Sequence, residues 1–84
     1  MSELETLKKK IIYRSSYRGT KEMDILLSSF VKTHINNLSE LELNDLYNFL
    51  NLEDDVIYSY YKKGDPSNNF KKNHVTELFK KFKF

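Results

Sequence analysis

The side chains with most chemical potential fall in two short groupings. The first is Arg18-Gly19-Thr20-Lys21-Glu22, where a guanidinium and a carboxylate stand either side of a residue with no Cβ. A backbone step without a side chain lets the chain turn, or lets another surface come close. Arg18 and Glu22 have i, i+4 spacing, but the cation precedes the anion and a glycine intervenes, so pairing them gains a few tenths of a kcal/mol at most. That weak return directs Arg18 outward, to a forked contact with a carboxylate or carbonyl on a partner. The plainer alternative is a helix–helix corner and nothing more, since glycine commonly ends helices. The second grouping is Glu53-Asp54-Asp55. It lacks the alternating oxygen ligands and central glycine of a calcium loop, and reads as the acidic first turn of a helix.

The remaining inventory is thin. Of the two histidines, His34 lies on or beside an apolar helix face, as a packed core or boundary side chain does. His74 stands near the start of the last helix, and neither belongs to an H-E-x-x-H pair. The absence of cysteine excludes disulfides, thiolate catalysis and cysteine-held metals. One glycine at position 19 does not make a phosphate-cradling loop. The expectation is therefore no enzyme, no catalytic residue, no metal site and no stably bound cofactor. Tyr13, Tyr17, Tyr58, Tyr60 and Tyr61 cannot all be central in 84 residues. Surface tyrosines support protein contacts, being large, stiff and amphipathic; the alternative is ordinary boundary packing.

The net charge is +2, too small to indicate a nucleic-acid binder. Lys8, Lys9, Lys10, Arg14 and Arg18 make the start basic, Glu40 to Asp55 make the middle acidic, and Lys71 to Lys83 make the end basic again. Such stretches are solvated helix faces, or steer a partner of opposite sign. No apolar run approaches the ~20 residues of a membrane span. The first residues show no apolar signal core, so the sequence reads as cytoplasmic.

These groups need elements to hold them, and the periodicity predicts five. Ser2-x-x-Glu5 is a capping box for a helix carrying Leu4, Leu7 and Ile11, with Ile12 beside them, fading near Ser15-Ser16. Met23, Leu26, Leu27, Phe30, Val31, His34 and Ile35 trace one face of the second helix. On this reading Arg18 finishes helix one, Gly19 is the N-cap of helix two and Glu22 its third residue. Ser39-x-x-Glu42 is another capping box, before a face of Leu43, Leu46, Tyr47 and Leu50. Val56, Ile57, Tyr60 and Tyr61 form the apolar side of helix four, which Lys62-Lys63-Gly64-Asp65-Pro66 stops. Ser67, Asn68 or Asn69 caps helix five, with its face of Val75, Leu78, Phe79 and Phe82. The expected fold is an all-α, compact bundle of five short helices, forming a single domain over residues 1–84.

Arg18-Gly19-Thr20-Lys21-Glu22 resembles the Arg-Gly-x-x-Glu signature of the succinate dehydrogenase flavinylation factors, small bacterial assembly proteins with mitochondrial assembly-factor-2 counterparts. The resemblance extends from about Lys10 to Phe82: a first helix ending in Tyr13-Arg14-Ser15-Ser16-Tyr17, the step Glu22-Met23-Asp24, then Leu46 to Leu50, an acidic junction, aromatic residues, Gly64 and Pro66. Met23 replaces the family's usual leucine, and Tyr60 stands where the family commonly has tryptophan. The resemblance implies a chaperone-like factor in the bacterial cytoplasm, monomeric when alone. Such a factor binds the flavoprotein subunit of succinate dehydrogenase, or of fumarate reductase, and promotes covalent attachment of FAD, which the client carries. It implies partner-binding roles for Tyr17, Arg18, Gly19, Glu22, Asp24 and Tyr60, without nucleic acid or membrane insertion. The rival reading is a small helical nucleic-acid binder or antitoxin-like interaction protein, with helices two and three as a helix-turn-helix. The acidic middle opposes it.

Overall fold

Three of the helices start where a side chain accepts from a free N–H group of the first turn. A computed structural model describes residues 3–63 and 73–83 of the chain. It contains α1 (Glu3–Ser15), α2 (Lys21–His34), α3 (Glu40–Leu50), α4 (Asp54–Lys63) and α5 (His74–Lys81), with no strand among the described residues. The five-helix, all-α expectation holds. Ser2, Gly64, Pro66, the cap candidates Ser67, Asn68 and Asn69, and Phe84 lie outside the described residues.

The caps show where side-chain chemistry sets a boundary. Thr20, with extended backbone, is the N-cap of α2, and its Oγ1 accepts from the Met23 N–H at 3.2 Å. The expected cap, Gly19, has no side-chain oxygen to offer, so the boundary moves one residue on and Glu22 becomes the second helical residue. At α3 the predicted box forms: Ser39 Oγ accepts from the Glu42 N–H, and the Ser39 N–H donates to Glu42 Oε1 at 2.9 Å. At α5 the cap is Asn73, which exchanges bonds of 3.0 and 2.9 Å with Thr76.

The apolar faces meet in one core. Ile11 of α1, the Met23–Ile35 face of α2, Leu43, Leu46, Phe49 and Leu50 of α3, Ile57 and Tyr60 of α4, and Val75 and Phe79 of α5 are all buried. Phe79 sits among Phe30, Phe49 and Tyr61, with ring centroids 5.2, 5.2 and 5.1 Å away. Edge-on and tilted aromatic packing of this kind adds to simple burial. His34 is half-buried against Phe30, a boundary histidine as its spacing predicts. Tyr61 Oη donates to the Phe82 carbonyl at 2.6 Å and ties the chain end back to α4. α1 lies across α2 and α3, α3 packs on α5, and α5 on α4. The ends of α1 and α3 and the start of α4 thereby come together around residue 18.

Glu42 serves two elements. Besides closing the α3 box, its carboxylate meets the His74 ring at the start of α5. The Ser39 backbone N–H first, and the His74 contact second, hold its pKa down, from 4.5 to about 2. A depressed carboxylate stabilises fully above its unfolded pKa and loses that contribution as pH falls through its folded one. Glu42→Gln is therefore expected to lower the urea midpoint at neutral pH, with the gap to wild type closing between pH 4.5 and about 2. Midpoints measured at steps across that window test this, and a gap that stays constant refutes it.

Candidate functional site

The corner between α1 and α2 is built around Arg18, which turns inward. Only 10% of its side chain is exposed. Nη1 donates to the Arg14 carbonyl at 2.8 Å and the Leu50 carbonyl at 2.9 Å, and Nη2 donates to the Leu52 carbonyl at 3.2 Å. Nε donates to Asp54 Oδ1 at 2.8 Å, and Nη2 approaches the same oxygen at 2.7 Å. Arg14 and Leu50 stand in the last turns of α1 and α3, where carbonyls lack an intrahelical partner. One planar fork thus closes two helix C-termini and the α3–α4 junction, and pairs with the first residue of α4. Lysine, with three donors on one nitrogen, cannot match that geometry.

This overturns two sequence expectations. Arg18 does not finish α1, which ends at Ser15, and its guanidinium does not face a partner. The weak Arg18–Glu22 pairing was rightly discounted. The better use of the cation lay in backbone carbonyls and in Asp54, 36 residues along the chain. Asp24 is also turned inward, its Oδ1 accepting from the Arg18 backbone N–H at 2.6 Å. Tyr60 is 1% exposed and packs near Phe49, 6.4 Å between ring centroids, so it offers no surface to a partner. The long apolar face of α4 takes its ring into the core.

Three predicted site residues do reach solvent. Gly19 is exposed, and its N–H donates to Asp54 Oδ2 at 2.8 Å. A Cβ there would lie 3.1 Å from that same oxygen. Glycine thus permits the close approach of Asp54 and leaves the outer side bare. Glu22 is exposed and accepts from Tyr58 Oη at 3.1 Å. Tyr17 is 83% exposed and has φ of 57°, the left-handed region that an aromatic residue adopts at a cost of roughly 1–3 kcal/mol. Its ring leans on Tyr13, 5.4 Å between centroids, itself 61% exposed.

An open groove of about 560 Å³ lies at this corner, lined by Tyr13, Arg14 and Tyr17 and by Glu53, Asp54 and Asp55 among others. Because Arg18 spends its charge on Asp54, the outward carboxylates are those of Glu22, Glu53 and Asp55. The outward cations are Arg14 and Lys21. Asp54 was missed as part of the site, and Tyr13 and Tyr58 were named only among the surface tyrosines that could support protein contacts. The acidic triplet is explained locally by its place at a helix start, and nothing in its spacing signals the partner of Asp54 across the fold. Among the described residues no group of acidic or histidine side chains is arranged to hold a metal. No helix of the described residues is long and apolar enough to cross a membrane.

A family model described as flavinator of succinate dehydrogenase matches residues 9–83. The chain is 40% identical over 63 residues to a mitochondrial succinate dehydrogenase assembly factor 2 of Dictyostelium discoideum, covering 75% of this chain and 45% of that protein. A protein of the same name from Caenorhabditis briggsae is 32% identical over 83 residues, covering 95% of this chain and 68% of the relative. The counterpart from Meyerozyma guilliermondii is 39% identical over 59 residues, 70% of this chain and 44% of that protein. The chain thus spans a little under half the length of several of these relatives. No solved structure matches it. The relatives are eukaryotic and mitochondrial by name, which overturns the expectation of a bacterial cytoplasmic protein.

Removing the Arg18 fork leaves several carbonyls and one carboxylate without their partner. Arg18→Ala is expected to destabilise the fold by about 2–4 kcal/mol, and Arg18→Lys to recover little of it. Thermal melts decide this, and an unchanged Tm for the alanine variant refutes the structural role. Tyr17→Gly relieves the left-handed strain, and is expected to leave Tm unchanged or to raise stability by up to about 1 kcal/mol. A clear fall in Tm would show that the Tyr13–Tyr17 contact outweighs the strain.

Proposed function

The chain belongs to the family of flavinators of succinate dehydrogenase, and from that premise we propose that it is an assembly factor for the flavoprotein subunit of that enzyme, promoting covalent attachment of FAD to it. The mitochondrion is its place of work on this reading, as the names of its relatives suggest. The observation that carries the reading is the bare Gly19 step. It lies exposed within the matched residues, between the outward side chains of Tyr17 and Glu22, and is fixed from behind by Asp54. A rigid step without a side chain lets a second protein's backbone come to van der Waals contact, and flanking side chains set the orientation.

The described residues bring together no nucleophile, base and orienting group of their own, so the reading assigns positioning to this chain. The bond to FAD is then made between flavin and client, with a client histidine as the attached residue. Holding two reacting groups in a productive geometry can lower a barrier by several kcal/mol without any catalytic side chain. The corner offers carboxylates and phenol rings, and a complementary client surface supplies hydrogen-bond donors or cations. FAD is carried by the client, and this chain holds none stably.

The test is co-expression with the flavoprotein subunit, with fluorescence of the denatured client on a gel as the measure of covalent flavin. Gly19→Leu is expected to fold, because the atom its Cβ meets is the far end of the Asp54 side chain. Covalent flavin on the client is expected to fall at least about tenfold, the effect of a misplacement on the order of 1 Å. Full flavinylation by the folded variant refutes the reading.

A further inference from the structure

Asp54 divides its carboxylate between two consecutive residues of the corner. Oδ1 takes the Arg18 guanidinium, through Nε at 2.8 Å and Nη2 at 2.7 Å, while Oδ2 takes the Gly19 N–H at 2.8 Å. A carboxylate at the first position of a helix ordinarily serves that helix, through its dipole or its free N–H groups. Here the start of α4 is served by its neighbours. The Asp55 side chain accepts from the Val56 N–H at 2.9 Å, and the Glu53 carbonyl accepts from the Ile57 N–H at 3.1 Å. Asp54 is left to face the α1–α2 corner, with its side chain 26% exposed. It is also the group that a side chain at position 19 would strike. Gly19 and Asp54 therefore make one unit: a Cβ at residue 19 would lie 3.1 Å from Oδ2, and the carboxylate would have to give way by a few tenths of an ångström.

We propose that Asp54 is a positioning residue of the docking corner, acting on the client through the Gly19 step. This rests on the reading that the corner docks the flavoprotein. The bond to Gly19 sets how far the bare step stands out from α4. The bond to Arg18 sets the direction of the residue that follows Tyr17. Releasing Oδ2 alone lets the step drift by the small distances to which docking is sensitive, while the guanidinium still ties the helix ends.

Asp54→Asn separates the two roles. Its carbonyl oxygen can still accept from Arg18, which turns the amide NH2 toward the Gly19 N–H and opposes two donors. Val31→Ala, which trims the buried face of α2, serves as a control that weakens the fold elsewhere. Both variants are compared with wild type at a temperature where all are folded, by amide hydrogen exchange at Gly19 and by affinity for the flavoprotein subunit. The expected result for Asp54→Asn is Gly19 exchange and client Kd each raised about tenfold or more, the equivalent of one lost hydrogen bond. Val31→Ala is expected to match wild type in both. Wild-type affinity in Asp54→Asn despite faster Gly19 exchange overturns the proposal, as does an equal loss of affinity in both variants, which marks a merely structural role. Should wild type itself fail to bind the flavoprotein, the functional reading fails and the positioning role for that client fails with it. That outcome is distinct from a failure confined to the variant.

Discussion

Five short helices have many ends, and helix ends are where a small all-α fold is weakest. Each C-terminus leaves carbonyls without a partner, and each loop adds conformational entropy that packing must overcome. The Arg18 guanidinium answers this where the ends of α1 and α3 meet the start of α4. It donates to carbonyls in the last turns of α1 and α3, to the junction that follows α3, and to the first side chain of α4. Hydrogen bonds from a charged donor to partly buried acceptors are stronger than neutral ones, and five donors in one plane hold four acceptor groups in a single arrangement. The relative placement of α1, α3 and α4 therefore depends on a residue that belongs to none of them.

That dependence explains the composition of the motif. Arg18 and Asp24 look inward, Gly19 is the seam, and Tyr17 and Glu22 look outward. The Arg18 backbone N–H is held by Asp24 and its side chain by Asp54, so the chain direction at residue 18 is fixed at both ends. Tyr17 just before it is forced into a left-handed conformation that solvent exposure alone would not select. A strained, exposed aromatic persists only where its surroundings over-determine it. The bonds to Arg18 supply that constraint, and the result is a ring presented at a set angle with Tyr13 behind it.

The sequence was most legible where one element sufficed to explain a residue. The face of α2 from Met23 to Ile35 follows from spacing alone, and the Ser39–Glu42 box from two side chains three apart. Gly19 was legible as a corner and as an exposed step, though not as the neighbour of Asp54. Helical spacing puts Tyr60 on the apolar side of α4, where it is; its partner-binding role came from the resemblance alone, and burial beside Phe49 removes it. Arg18 was misread for a different reason. Three of its acceptor groups are backbone carbonyls, which carry no letter in a sequence, and the fourth stands far along the chain. Local spacing showed correctly what Arg18 does not bind, and no local pattern could show what it does.

The inward turn of Arg18 also changes how a signature of charged residues should be understood. A cation and an anion flanking a glycine suggest two electrostatic anchors for a partner. Here the cation is already neutralised by Asp54, so at residues 18–22 the outward charges are Lys21 and Glu22. An exposed ion pair at a rim contributes little affinity and is screened by salt, whereas a rigid, correctly shaped step lowers the entropy lost on docking. Each rotamer-rich side chain immobilised at an interface costs roughly 0.5–1.5 kcal/mol, and a glycine has none to immobilise. A tyrosine has few rotatable bonds for the area it presents. Under the proposed function, a corner made of a fixed glycine and pre-oriented tyrosines suits a factor that must hold a client in one geometry and let it go. Tight electrostatic anchoring would hinder that release, and the fold commits the Arg18 guanidinium to its own helix ends.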